Sequence, residues 1–181
     1  MMTTLIYGLY TAGASIVVTL LVHFLGLEGQ PLGTALSFLT WPLIGLFVWL
    51  ATKERRDEEW NGGLQYGQGV VTGLLVGLWA GLVFAVFLYF FWTFISPDFI
   101  DKAVEQARAR MLEQSRSSGG TQLSSQQIET SLEMMRRYFV PFGLGGAVLG
   151  DIAVATLISL GTSAFLKRDL PEIAPDGNPV M

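Results

Sequence analysis

Residues 67–94, GQGVVTGLLVGLWAGLVFAVFLYFFWTF, decide the fold of the chain. The segment is apolar and carries a glycine at every fourth position, and on a helix such positions share one face. In water each interior glycine would cost about 1 kcal/mol relative to alanine. In a bilayer a single segment must be helical, and a glycine face lets a second helix approach closely. The pattern predicts a closely packed membrane helix, with packing inside the chain favoured over packing against a second chain. The glycines are Gly69, Gly73, Gly77 and Gly81.

The composition indicates that lipid surrounds most of the chain. Of 181 residues, 51% are hydrophobic and only 14% are charged, against about 25% charged in soluble domains. The absence of cysteine excludes disulfides, thiolate metal sites and cysteine nucleophiles. The single histidine, His23, cannot supply a histidine-rich metal site, and the net charge of −4 argues against nucleic-acid binding. We therefore expect no metal, no cofactor and no nucleic-acid partner.

Four segments are long enough to span a bilayer, which takes about 20 apolar residues. The first has no preceding Lys or Arg and is too long for a signal peptide, so we expect it to be retained. Pro42 should kink or break the second. We predict an all-α integral membrane protein with one membrane domain at 1–170 and a proline-containing flexible tail at 171–181. The predicted spans are about 4–27, 32–52, 67–95 and 141–166.

An amphipathic helical hairpin is predicted outside the membrane, at 97–139, between the third and fourth spans. Ser96-Pro97-Asp98 is typical of a helix start, and 117–121 is a polar Gly/Ser turn. Ser124, with Gln127 three residues later, has the spacing of a capping box. The apolar faces of both helices must be covered by each other, by the headgroup region or by a partner.

The positive charges favour cytoplasmic termini, in a bacterial inner membrane. Lys53, Arg55 and Arg56 follow the second span, and Lys167 and Arg168 follow the fourth, while cytoplasmic loops carry an excess of Lys and Arg. The hairpin segment also contains basic residues, which count in the other direction. The side of the membrane on which the hairpin lies therefore stays open.

Asp151 is the main candidate for a buried polar site. It lies about ten residues into the fourth span, where a carboxylate costs about 2.5 to 3.5 kcal/mol. Its helix face consists of small residues, so it should turn toward other helices rather than lipid. Two interpretations stay open: a proton or cation site, and a neutral carboxyl that hydrogen-bonds across helices. The small residues on this face are Gly143, Ala147, Ala155 and Ser159.

A second polar stripe lies on the first span, where Ser15, Thr19 and His23 follow one another at four-residue spacing. We favour an interfacial position for His23 at headgroup level, because no relay partner is evident near it. The mixed-charge loop that starts at Lys53 is interpreted as solvated. No phosphate-binding loop, nucleophile set or metal motif is recognisable, so no catalytic residue is predicted.

The chain resembles a family of bacterial four-span membrane proteins known only as a domain of unknown function, family 4199. The resemblance covers nearly the whole chain and lies in 61–68 (NGGLQYGQ), in 95–100 (ISPDFI) and in 124–138, which contains QIE and MMRR. It implies the same four-span layout and implies no reaction, cofactor or catalytic residue.

Two functions are expected from different classes. The first is an interaction protein: an accessory or scaffold subunit of a membrane complex, or a homo-oligomer, that contacts lipid and a partner or itself through the hairpin. The second is a small proton- or cation-coupled transporter or channel that uses Asp151. An intramembrane enzyme ranks last, because acid–base and nucleophilic sets are missing.

Overall fold

The computed structural model describes residues 1–117 and 124–168. Within this range the chain is helical, apart from one antiparallel β-bridge between Leu64 and Arg168. The predicted tail and most of the predicted turn at 117–121 lie outside the described residues. The helices are α1 Met2–Phe24, α2 Pro31–Phe38, α3 Thr40–Glu54, α4 Tyr66–Phe90, α5 Phe99–Ser117 and α6 Ser125–Leu166, with π-helical turns at Arg55–Glu59 and Phe91–Ile95.

Four helical stretches in the described chain are long and apolar enough to cross a membrane, which confirms the prediction of an all-helical, multi-pass membrane protein. The third and fourth stretches carry mean hydropathies of 2.4 and 1.7, and every stretch exceeds the required length of about 20 residues. The stretches are Met2–Phe24, Pro31–Glu59, Tyr66–Ile95 and Gln126–Leu166.

The second stretch is broken at Leu39, between α2 and α3. Pro42 lies three residues later, in the first turn of α3. Proline has no backbone N–H to donate to the carbonyl four residues earlier, and its ring clashes with that carbonyl. For Pro42 this carbonyl belongs to Phe38, the last residue of α2. The break predicted from Pro42 is therefore present, one turn before the proline.

The chain divides into two compact units, and the first comprises Met1–Phe84 and the described part of Ala147–Met181. Its core combines residues from four helices. Ile44, Val48 and Ala51 come from α3, while Val76 comes from α4 and Ala155 from α6; Tyr7 of α1 packs against them. We call this unit the bundle.

The second unit, Ala85–Gly146, contains α5 and the first part of α6. Ile128 and Leu132 are each only 5% exposed, so part of the predicted apolar stripe is covered within the unit. Two ion pairs connect the helices, Arg108 with Glu129 and Arg136 with Asp101. These two ion pairs lie about two turns apart on each helix, so they join α5 to α6 at two levels.

The start of α6 carries the predicted capping box. The Gln127 backbone N–H donates to Ser124 Oγ at 3.2 Å, and the Ser124 N–H donates to Gln127 Oε1 at 2.9 Å. The end of the predicted hairpin differs from the expectation, however. A separate span was expected from Pro141, but α6 continues through this residue as one helix of 42 residues.

Candidate functional site

The glycine face of α4 packs against the small-residue face of α6. A Cβ atom placed on Gly77 would lie 2.7 Å from the carbonyl oxygen of Asp151 and 2.8 Å from Cβ of Ala155. A Cβ on Gly81 would lie 2.8 Å from Cα of Val148. Real Cβ atoms do not approach so closely, so these positions admit only hydrogen. The remaining pairs are Gly73 with Ser159 and Gly69 with Ser163.

A close approach that the sequence analysis missed joins α1 to α4 at Gly8. A Cβ on Gly8 would lie 2.5 Å from Cβ of Trp79 and 3.2 Å from the carbonyl oxygen of Val76. Gly8 is a single glycine and belongs to no periodic pattern. The only sequence signal for this buried face of α1 is the pair of polar residues on either side of it, Thr4 and Thr11, which are both buried. Helix α4 therefore has two contact faces, one toward α6 and one toward α1.

The glycines of α6 do not all pack closely. A Cβ on Gly143 would lie 2.6 Å from Cη2 of Trp92 within the second unit. By contrast, Gly145, Gly146 and Gly150 have no described atom within 4 Å of an added Cβ. These three glycines lie on an open helix surface.

Asp151 lies where α6 crosses the glycine face of α4. Its Cβ is 3.4 Å from the position of a Cβ on Gly81, and its Oδ2 is buried without a hydrogen-bond partner among the described residues. Ser159 lies on the same face, eight residues or about 12 Å further along the helix. Its Oγ donates to the carbonyl oxygen of Thr156 at 2.7 Å. The separation of about 12 Å along the helix is too long for direct proton transfer between Asp151 and Ser159.

The polar side chains of the α1 stripe form hydrogen bonds within α1 and with the loop that follows it. Thr19 Oγ1 donates to the carbonyl oxygen of Ser15 at 2.9 Å, within α1. His23 Nδ1 lies 2.8 Å from Glu28 Oε1, in the loop that follows α1. The expectation that His23 has no evident partner is therefore wrong, because a carboxylate five residues later reaches it.

A partly buried polar network at one end of the bundle is centred on Arg55. The Arg55 side chain is only 12% exposed. Its Nη1 donates to Thr72 Oγ1 at 2.9 Å and its Nε donates to Glu59 Oε2 at 2.8 Å. The guanidinium carbon lies 4.5 Å from the ring centroid of Trp60, in a cation–π contact. We call these four residues the Arg55 network.

The same end of the bundle carries two further links between helices. Tyr7 Oη of α1 donates to Glu54 Oε2 of α3 at 2.7 Å, and Thr3 Oγ1 donates to Glu59 Oε1 at 3.2 Å. The mixed charges of the segment that starts at Lys53 suggested a solvated loop. The hydrogen bonds show that several of its side chains instead connect helices. Charge-assisted hydrogen bonds of this kind are about twice as strong as neutral ones. Together with the bond from Arg55 to Thr72 of α4, they connect α1, α3 and α4.

The Arg55 network forms hydrogen bonds between helices and Asp151 makes packing contacts between helices, and neither contains a recognisable catalytic set. No set of three or more His, Cys, Asp or Glu side chains suited to a metal ion occurs in residues 1–117 or 124–168. Asp151 is a single carboxylate on a tightly packed surface, and the Arg55 network is made of groups that satisfy one another. Neither arrangement combines a nucleophile with a general base, which covalent catalysis requires.

Comparison with known proteins bears on the family alone. Neither the curated proteins nor the solved structures contain a match to the chain. The model of one family, described as a protein of unknown function (DUF4199), matches residues 6–168. This range includes most of the first stretch and all of the other three. It also contains the glycine face of α4 and Asp151, and it confirms the resemblance inferred from the motifs. The chain therefore belongs to the DUF4199 family of proteins of unknown function.

Proposed function

We propose that the protein is an interaction subunit of the membrane, an accessory or scaffold protein that binds a partner or a second copy of itself through a helical hairpin outside the bilayer. The observation that carries this proposal is the length of α6. Its 42 residues correspond to about 63 Å at 1.5 Å per residue. A bilayer has a hydrocarbon core of about 30 Å, so a large part of α6 is available outside it.

The hairpin of this proposal consists of α5 and the charged start of α6. Its internal ion pairs and its buried Ile128 and Leu132 give it a defined form. In the proposed topology both termini are cytoplasmic and the membrane is a bacterial inner membrane, in line with the basic residues after the second and fourth spans. The stripe from Gly69 to Gly81 acts as a glycine zipper inside the chain.

The contact surface proposed for the hairpin is the exposed face of α6 formed by Met134, Tyr138 and Phe142. These residues follow one another at four-residue spacing and are 54%, 46% and 75% exposed. The rings of Tyr138 and Phe142 contact each other edge to face, with centroids 6.0 Å apart. Aromatic side chains and methionine are enriched in the core of protein interfaces.

A double variant, Met134→Glu with Tyr138→Glu, tests this surface. We expect it to weaken self-association or partner binding at least tenfold, because two charges replace apolar contacts at the centre of the interface. The measurement is the protein mass by light scattering in mild detergent, compared with the 19.8 kDa chain.

The matched control places the same two charges on α5, as Gln106→Glu with Ala109→Glu, at exposed positions. This control should keep the wild-type mass. The proposal fails if wild-type protein runs as a monomer without a stoichiometric partner, or if the α6 double variant keeps its assembly.

A second candidate function, proton- or cation-coupled transport, is favoured by the buried Oδ2 of Asp151, which has no partner among the described residues. Ionisable residues inside spans are commonly parts of ion pathways. Asp151→Asn preserves the shape of the side chain and removes its proton exchange, so it should reduce proton flux into reconstituted vesicles by tenfold or more. Glu58→Gln, at an exposed position, is the control. Equal flux in all three proteins would eliminate transport through Asp151.

A further inference from the structure

A cavity of about 420 Å³ lies beside the loop that joins α3 to α4. Its polar lining comes from Trp60, Asn61, Gln65, Gln68 and Arg168. The cavity adjoins the first residue of α4, Tyr66, and the last residue of α6, Leu166. In a membrane-spanning bundle the ends of the spans lie at the level of the lipid headgroups.

The backbone on both sides of this cavity is fixed. The Leu64 N–H donates to the carbonyl oxygen of Arg168 at 2.8 Å, and the Arg168 N–H donates to the carbonyl oxygen of Leu64 at 3.2 Å. Leu64 is buried, with 1% exposure, so this bridge holds Arg168 at the cavity. On another side, the cation–π contact with Arg55 orients the ring of Trp60.

The lining offers several hydrogen-bond donors to a ligand. Gln68 Oε1 accepts the backbone N–H of Gln65 at 3.0 Å, which leaves the Gln68 NH₂ group for a ligand. Arg168 adds a guanidinium with five N–H donors. No carboxylate lines the described cavity. The nearby carboxylate of Asp57 accepts a hydrogen bond from Arg56 Nε at 2.7 Å and does not line the cavity.

We propose that this cavity binds a negatively charged phosphate group, with Arg168 as the cation and Gln68 as an amide donor. A planar guanidinium binds phosphate oxygens in a bidentate manner, and such bonds are stronger than neutral hydrogen bonds. The phosphate belongs either to the headgroup of an anionic lipid or to a free phosphate ion. In both cases the same donors recognise it.

The test uses the full chain, delipidated in a neutral detergent and titrated with short-chain phosphatidylglycerol, short-chain phosphatidylcholine and inorganic phosphate. We expect phosphatidylglycerol to bind at least tenfold more tightly than phosphatidylcholine, because the choline cation cancels the charge that Arg168 recognises. Arg168→Gln should weaken binding of phosphatidylglycerol about tenfold or more. Arg110→Gln removes an exposed arginine of α5 and should leave binding unchanged.

Gln68→Glu is a second variant, which keeps an acceptor for the Gln65 N–H and places a negative charge in the cavity. It should also weaken binding, while the melting temperature of the protein stays near that of the wild type. Arginine-dependent binding of inorganic phosphate that competes with the lipid would assign the site to the free ion. Equal affinity of wild type, Arg168→Gln and Gln68→Glu for both phosphatidylglycerol and inorganic phosphate would overturn the proposal.

Discussion

Replacing Gly77 by leucine is expected to prevent stable packing of the bundle, and replacing it by alanine is expected to cost about 1–3 kcal/mol of stability. Even the single Cβ of alanine would lie 2.7 Å from the Asp151 carbonyl oxygen and 2.9 Å from Cα of Ile152. Both are backbone atoms of α6, so no side-chain rotation can relieve the clash. The helices must separate, which reduces the close contacts that drive association of membrane helices.

The matched control is Gly161→Ala, because Gly161 lies in the apolar part of α6 with no described atom within 4 Å of an added Cβ. Alanine there should leave stability unchanged or raise it by about 0.4–1 kcal/mol, since it restricts the unfolded chain. The melting temperature in detergent, followed by tryptophan fluorescence, should therefore fall for Gly77→Ala and stay level or rise for Gly161→Ala. Equal melting temperatures for Gly77→Leu and wild type would show that the α4–α6 contact contributes nothing.

The spans and the α4 face could be predicted from the sequence because their signals are periodic. Apolar length alone identifies a crossing, and four glycines at one spacing mark a single face. Which helix occupies this face could not be predicted, since every span carries small residues. Gly8 was missed for a related reason: a single glycine has no period, and its role depends on Trp79, which is 71 residues away in the chain.

The N-terminal part of α6 shows the opposite limitation. The capping box at Ser124 was predictable because its two hydrogen bonds join residues three apart. The fourth span was expected to begin at about Pro141 as a separate helix, but α6 continues through this residue. Proline is nevertheless tolerated inside membrane helices, where neighbouring groups pair the freed carbonyl. The continuous α6 thus follows from an exception to a local rule.

The Arg55 network could not be predicted, because a mixed-charge sequence has the same composition in a solvated loop and in a buried network. What distinguishes the two is the position of Thr72, one turn and a half into α4, where it reaches Arg55. A threonine within a helix commonly donates its hydroxyl to a carbonyl of the preceding turn. Thr72 Oγ1 donates to the carbonyl oxygen of Gln68 at 2.8 Å. The second bond, which it accepts from Arg55, depends on the tertiary structure.

Arg55→Met is expected to destabilise the bundle by about 1–2 kcal/mol, mainly because it leaves the buried Thr72 without its charged partner, while Glu59 stays partly exposed to solvent. Methionine keeps much of the packing volume, so the loss reports the polar contacts. Arg55→Lys should recover only a small part, since an ammonium group cannot bind Thr72 and Glu59 with the geometry of a guanidinium. Melting temperature in detergent at low and high salt measures both effects.

The neighbouring residue supplies the control for this experiment. Arg56 pairs with Asp57, whose side chain is 46% exposed, and pairs of this kind contribute about 1 kcal/mol or less. Arg56→Met should therefore change the melting temperature far less than Arg55→Met does, although both remove one positive charge from the same turn. If the two variants melt at the same temperature, net charge rather than the bonds to Thr72 and Glu59 governs stability, and the Arg55 network does not hold this end of the bundle together.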